Sequence, residues 1–148
     1  MSLLLRAAHT ERVHSHLCRV YPEEGCGVLL GRERNGVREV ERTVELDNQR
    51  EASRHNRYVI SPEQFLRAEK EARAAGLDVL GFYHSHPDHP ARPSAFDLEH
   101  AWPWYSYVIV SVERGRVADM RSWRLRDERS AFEPEPMAQD EPAPGERR

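Results

Sequence analysis

The sequence predicts an α/β sandwich in which helices are interleaved with a mixed sheet. Three features point to it: apolar residues at helical spacing in two separate stretches, an Asn-Gly pair between extended segments, and two runs apolar enough for interior strands. In chain order, Leu3 to Leu5 reads as a short edge strand, and Val13, Leu17 and Val20 mark one face of a helix near residues 9 to 21, which Pro22 ends. His14 and His16 fall in this helix, where a two-residue step turns side chains about 200° apart, and both are expected to face solvent. Gly27 to Gly31 encloses Val28-Leu29-Leu30, and Val37 to Leu46 is mostly extended. Arg34-Asn35-Gly36 lies between them, so an antiparallel hairpin is expected.

Tyr58 to Ile60 reads as another short strand, after which Ser61 opens a helix with Pro62 in its first position and Gln64 completing a capping box. Phe65, Ala68, Ala72 and Ala75 supply its buried stripe, and Gly76 stops it. Val79 to Tyr83 and Tyr107 to Val112 are the interior strands. The turn from Glu113 to Arg116 leads to a strand around Val117 to Trp123. From Glu133 onward, four prolines and five acids occupy sixteen residues, which reads as a disordered tail, with Ala131 to Glu133 as a candidate edge strand. The expected organisation is one domain over residues 1–126 and a Pro- and acid-rich tail over 127–148.

A chain of 148 residues buries one core. Its net charge of -3 provides no basic stripe, so nucleic acid and anionic membranes are poor partners. Two cysteines are too few to staple a secreted scaffold, and reduced thiols are the plainer expectation. The opening apolar run is three residues long before Arg6, and no run of 18 occurs, so neither a signal peptide nor a membrane span is expected. These features together predict a soluble, cytoplasmic protein.

The chemistry concentrates in Gly81-Phe82-Tyr83-His84-Ser85-His86-Pro87 and in Asp97. Residues two apart on a strand share a face, so His84 and His86 can offer two imidazoles to one ion. The prolines of the Asp88 to Pro93 loop stiffen the return toward Ser94-Ala95-Phe96-Asp97, which reads as the first turn of a helix. Two histidines and a carboxylate suit zinc, and three protein ligands leave one tetrahedral position for water, as in catalytic sites. Zinc would lower the pKa of that water from about 15.7 toward about 7 and polarise a scissile carbonyl. A proton carrier is also required. Glu24 and Glu23 both precede the Gly25-Cys26-Gly27 entry to the first core strand, and either carboxylate could serve.

His84-Ser85-His86-Pro87, six residues, then Ser94-Ala95-Phe96-Asp97 resemble the signature of the JAMM, or MPN-plus, metalloprotease family. Five fixed residue types at this spacing should coincide at about one starting point in a million. Pro22-Glu23-Glu24-Gly25-Cys26-Gly27 is similar to the family's upstream segment, and this resemblance selects Glu24 over Glu23 as the catalytic carboxylate. The likeness runs from about Leu3 to Trp123. It implies a cytidine-deaminase-like α/β/α fold with zinc on His84, His86 and Asp97, and a Ser94 hydroxyl that stabilises the tetrahedral intermediate. Only nine residues separate Asp97 from Tyr107, which resembles the compact prokaryotic form rather than the insert-bearing deubiquitinases. The implied substrate is a small ubiquitin-like or sulfur-carrier protein, cut after a C-terminal Gly-Gly as a peptide or isopeptide.

Two other functions are weighed. A non-catalytic MPN-type scaffold would ordinarily lack a ligand, and none is missing here. A RadC-like reading, associated with DNA repair, fits neither the charge balance nor the absence of an upstream helix-hairpin-helix segment. Among the remaining residues, Cys26 is expected to be a small core residue and His89 an exposed loop residue. Trp102 and Trp104 would form either an exposed recognition edge or helix-end packing.

Overall fold

The computed structural model describes residues 2–48 and 60–139. In chain order it contains β1 (Ser2–Leu4), α1 (Ala7–Val20), β2 (Cys26–Arg34), β3 (Val37–Leu46), α2 (Pro62–Ala74) and β4 (Asp78–Pro87). There follow α3 (Ala95–His100), β5 (Ser106–Glu113), β6 (Arg116–Leu125), β7 (Phe132–Glu135) and β8 (Met137–Ala138). Asn35 and Gly36 both take positive φ, 52° and 80°, which matches the twist of a two-residue hairpin and pairs Arg34 with Val37. At α2, the Ser61 side chain accepts the Gln64 N–H while the Gln64 side chain accepts the Ser61 N–H, and Gly76 at φ 71° follows the helix end. Of the expected strand at Tyr58 to Ile60, the first two residues lie outside the described residues.

The eight strands form one mixed sheet in the order β7-β6-β5-β4-β2-β3-β1-β8. β2 runs antiparallel to β3 and β4, while β4 and β5 are parallel and joined through α3. Leu29 pairs with Gly81 and Leu30 with Val79, so Leu80 is the extra residue of a bulge. That bulge sends Leu80 and Tyr83 into the core under α1, with Leu3, Leu5, Val13, Leu17 and Leu29. Val79 and Phe82 join the core under α2, with Val28, Leu30, Ala68 and Ala72. Continued alternation puts Ser85 on the α1 face and His84 and His86 on the opposite one.

Two expectations about the ends are corrected. β7 and β8 lie on opposite edges, yet only Pro136 separates them, so the sheet rolls until its edges approach each other around α1. β1 is therefore an inner strand between β3 and β8, and Leu3 N–H donates to Pro136 O at 2.9 Å. The candidate edge strand at Ala131 to Glu133 is present as β7, and residues 134–138, read from composition as part of a disordered tail, complete the sheet with it; residues 140–148 of that tail lie outside the described residues. Prolines are compatible with edge strands, where one row of N–H groups goes unpaired in any case. Glu135 is buried and accepts the Ser122 hydroxyl at 2.8 Å.

The helix histidines require a third correction. His16 is 4% exposed, because Val13, His16 and Leu17 fall at i, i+3 and i+4 on one stripe. His14 is half-buried, with Nε2 3.4 Å from Met120 Sδ. No helix among the described residues is long and apolar enough to cross a membrane.

Candidate metal centre

His84, His86 and Asp97 converge at the C-terminal end of β4, all buried. His84 Nε2 lies 3.2 Å from His86 Nε2, and the Asp97 oxygens lie 3.3 Å from His84 Nε2 and 3.1 Å from His86 Nε2. Bonds of about 2.0–2.1 Å to a tetrahedral ion place its ligands about 3.3 Å apart, so these separations fit the edges of such a site. The His86 Nδ1–H donates to Pro90 O at 2.8 Å, so in the neutral ring Nε2 carries a lone pair, and Asp97 likewise only accepts. Lone pairs facing one another call for a cation or a proton between them.

The loop after β4 is tied down at several points. Asp88 accepts from the Tyr21 hydroxyl at 2.7 Å and from Arg114 N–H at 3.0 Å. Ser111 Oγ donates to His89 O, and Trp123 Nε1 donates to Ala91 O. His89 itself is exposed. Ser94 caps α3: its Oγ accepts the Asp97 N–H at 3.0 Å, and its own N–H donates to Asp97 Oδ2 at 2.8 Å. The capping and metal-site readings of Ser-x-x-Asp are therefore compatible, since one carboxylate orients the helix and faces the imidazoles. Ser94 is exposed, and its hydroxyl hydrogen is not used by this cap.

Glu24 is 5% exposed on the segment leading into β2. Cys26 pairs with His84, and counting back along this antiparallel pair sets Gly25 level with Ser85 and Glu24 level with His86. Two bonds hold the alignment: Ser85 N–H donates to Gly25 O at 3.0 Å, and Gly25 N–H to Ser85 Oγ at 2.9 Å. Asn48 Nδ2 donates to Glu24 O. Ser85 and the Pro90 carbonyl went unrecognised in the sequence, because nothing in the spelling of the motif distinguishes them.

The electrostatics follow from burial and from this grouping. Burial dominates at His84 and lowers its pKa despite the Asp97 charge. Burial also opposes protonation of His86, but the bond and charge of Asp97, the Pro90 carbonyl and the Glu24 charge outweigh it, and the value rises. Asp97 is held well below the ordinary carboxylate range: burial disfavours its charge, but both imidazoles and the Ser94 N–H favour it more strongly. The Cys26 thiol is pushed up to about 12, first by burial and then by the charges of Glu24 and Asp47. At pH 8 its thiolate fraction is then about one in ten thousand, which argues against a cysteine nucleophile. Titration of the native protein with a chromogenic disulfide at pH 8 should react promptly with Cys18 at most, and Cys26 should appear only on unfolding. Two prompt thiols would contradict this.

A cleft of about 650 Å³ adjoins Asp97 and is lined mainly by apolar side chains, among them Phe65, Phe82, Phe96, Trp102, Tyr105 and Tyr107. Trp102 and Trp104 are 62% and 44% exposed. Arg129 lies over the Trp102 ring and Arg38 over that of Trp104, so both rings also serve as packing surfaces.

The chain is similar to known proteins in sequence and in fold. Residues 6–126 match the family model described as prokaryotic homologs of the JAB domain. A probable TtuB-protein conjugate cleaving protease of Thermus thermophilus is 39% identical over 103 residues, 70% of this chain and 66% of that protein, so the match spans just under two thirds of its length. A CysO-cysteine peptidase of Mycobacterium tuberculosis is 32% identical over 133 residues, covering 89% of this chain and 88% of the relative. A solution structure from Desulfitobacterium hafniense superposes with a TM-score of 0.82 at 31% identity, covering 97% of each chain. A rolled mixed sheet with two histidines and an aspartate meeting at the end of its central strand, together with these matches, makes the chain a member of the prokaryotic JAB family, the JAMM/MPN type that its motif resembles.

Proposed function

We propose that this protein is a zinc-dependent peptidase that cuts after the C-terminal Gly-Gly of a small ubiquitin-like or sulfur-carrier protein. The observation that carries the reading is the convergence of two imidazoles and a carboxylate at tetrahedral-edge separations, with the buried Glu24 on the same face of the sheet. His84, His86 and Asp97 hold the zinc, and two nitrogens with one oxygen match its preferences. Bound there, zinc supplies Lewis acidity toward a carbonyl and toward water. Glu24 accepts the proton released on attack and returns it to the leaving amine. Ser94 donates its free hydroxyl hydrogen to the oxyanion. The aromatic cleft beside Asp97 receives the substrate segment next to the scissile bond.

The names of the relatives support the substrate class, since they describe cleavage of a protein conjugate and of CysO-cysteine. A metal-free scaffold role is less well supported, because such a role has no use for two imidazoles and a carboxylate buried together at tetrahedral-edge separations. The catalytic domain spans residues 1–126, and residues 132–138 complete its sheet. A reducing, cytoplasmic setting accords with the free thiols of Cys18 and Cys26. To test the function, zinc-loaded protein is incubated with a sulfur-carrier protein extended beyond its Gly-Gly, and the product is weighed intact. A new C-terminus at the second glycine is expected. A substrate left whole, with zinc verified in the site, would refute the reading.

A further inference from the structure

The face of the sheet turned away from the metal carries a buried polar pair that neither zinc binding nor proton transfer uses. Tyr83 is 1% exposed and His16 is 4% exposed. The Tyr83 hydroxyl lies 2.7 Å from His16 Nδ1, and the two rings stand nearly perpendicular with centroids 5.7 Å apart. A hydrogen bond between α1 and the strand that bears His84 therefore crosses an otherwise apolar core of leucines and valines. A phenol donating to Nδ1 of a neutral imidazole joins the two groups without a buried charge.

The pair also lies against the segment that carries Glu24. Tyr83 is the cross-strand partner of Gly27, and its ring fills the place of the missing side chain: a Cβ on Gly27 would come within 2.2–2.4 Å of the ring and hydroxyl. At Gly25, a Cβ would meet Val20 at 2.7 Å and Leu17 at 2.8 Å, and it would lie 3.8 Å from His16 Nε2. The backbone of residues 25–27 is thus pressed against α1 and Tyr83 on one face, while Glu24 and Cys26 project from the other. Ser85 clamps the same peptide from β4. Slackening the backing would let this backbone settle toward α1 and draw Glu24 away from the line of attack.

We propose that His16 and Tyr83 are positioning residues for Glu24: their hydrogen bond fixes the backing surface against which Gly25 and Gly27 hold the carboxylate at its working height. The inference rests on the reading of Glu24 as the proton carrier. It predicts that proton transfer suffers while substrate binding and zinc binding do not. Tyr83→Phe keeps the ring over Gly27 and removes only the hydroxyl. His16→Ala removes the acceptor, and His16→Asn restores a polar atom near the Nδ1 position.

The test is steady-state hydrolysis of the Gly-Gly fusion by zinc-loaded variants, with zinc content measured on the same samples. Tyr83→Phe and His16→Ala should each lower kcat by about ten- to a hundred-fold, the range for a slight misplacement of a reacting group. KM should stay within about two-fold and the zinc equivalent should be retained. His16→Asn should recover most of the loss. The double variant should be no slower than the slower single one, because both break one interaction. In a Glu24→Gln background, Tyr83→Phe should have no further effect on the residual rate. Unchanged kcat in both single variants, loss of zinc, or the same fold-loss in the Glu24→Gln background would each overturn the proposal. Full turnover in Glu24→Gln alone would instead reject the role of Glu24, so the two failures are distinguishable.

Discussion

Replacing Glu24 by Gln is expected to lower turnover by about 10²- to 10⁴-fold while one equivalent of zinc stays bound, the range associated with losing a general acid-base group. Gln is nearly isosteric with Glu, so the fit of residue 24 between Gly25 and the Asn48 contact should survive, and the proposed metal ligands lie on other elements. The amide cannot accept the proton that attack releases. KM should move little, because in the proposed mechanism Glu24 acts in the transition state rather than in binding. The kinetics are measured on the Gly-Gly fusion with zinc content determined in parallel. Wild-type turnover would remove Glu24 from the mechanism, and loss of zinc would recast it as part of the metal site.

Asp97→Ala should have an effect of the same order or larger, by a different route. Asp97 is the one negative ligand of the proposed zinc site and also supplies the N3 half of the capping box that starts α3. Alanine removes both functions, so zinc binding and activity should be lost. Loss of the cap should cost about 1 kcal/mol of stability in addition. Asp97→Asn separates the two contributions. Its amide oxygen can still accept the Ser94 N–H, so most of the cap should persist, while zinc affinity should fall by two orders of magnitude or more without the charge. Equilibrium zinc titration with a chromophoric chelator and thermal unfolding of the metal-free proteins check the two parts independently. Zinc affinity retained in Asp97→Ala would exclude the carboxylate as a ligand.

Much of the fold was legible because local chemistry dictated it. Asn35-Gly36 leaves few alternatives to a tight hairpin, and Ser61-Pro62-Glu63-Gln64 carries its own helix start. The grouping of His84 and His86 was legible for a similar reason, since they share a face by strand geometry alone. The approach of Asp97 is less local: it depends on a loop fastened by Asp88 and His89 to distant elements and by the Pro90 carbonyl to His86. Where the reading failed, tertiary structure overrode composition. Prolines and acids at 133–136 suggest disorder until a neighbouring edge is available, and that edge exists only once the sheet has rolled up. His16 was misplaced because its polarity was weighed above its position, although the spacing of Val13 and Leu17 put it on the buried stripe. Its partner Tyr83 lies 67 residues away, a pairing no local pattern encodes.

The central claim is that His84, His86 and Asp97 hold one zinc ion whose fourth position is open to water. X-ray absorption at the zinc edge of the purified protein tests it most directly. Two imidazole nitrogens at about 2.0–2.1 Å and two oxygens at about 2.0–2.2 Å are expected, with one nitrogen lost in His86→Ala. A sulfur scatterer at about 2.3 Å, which would bring Cys26 into the site, or a native protein that takes up no zinc, would contradict it.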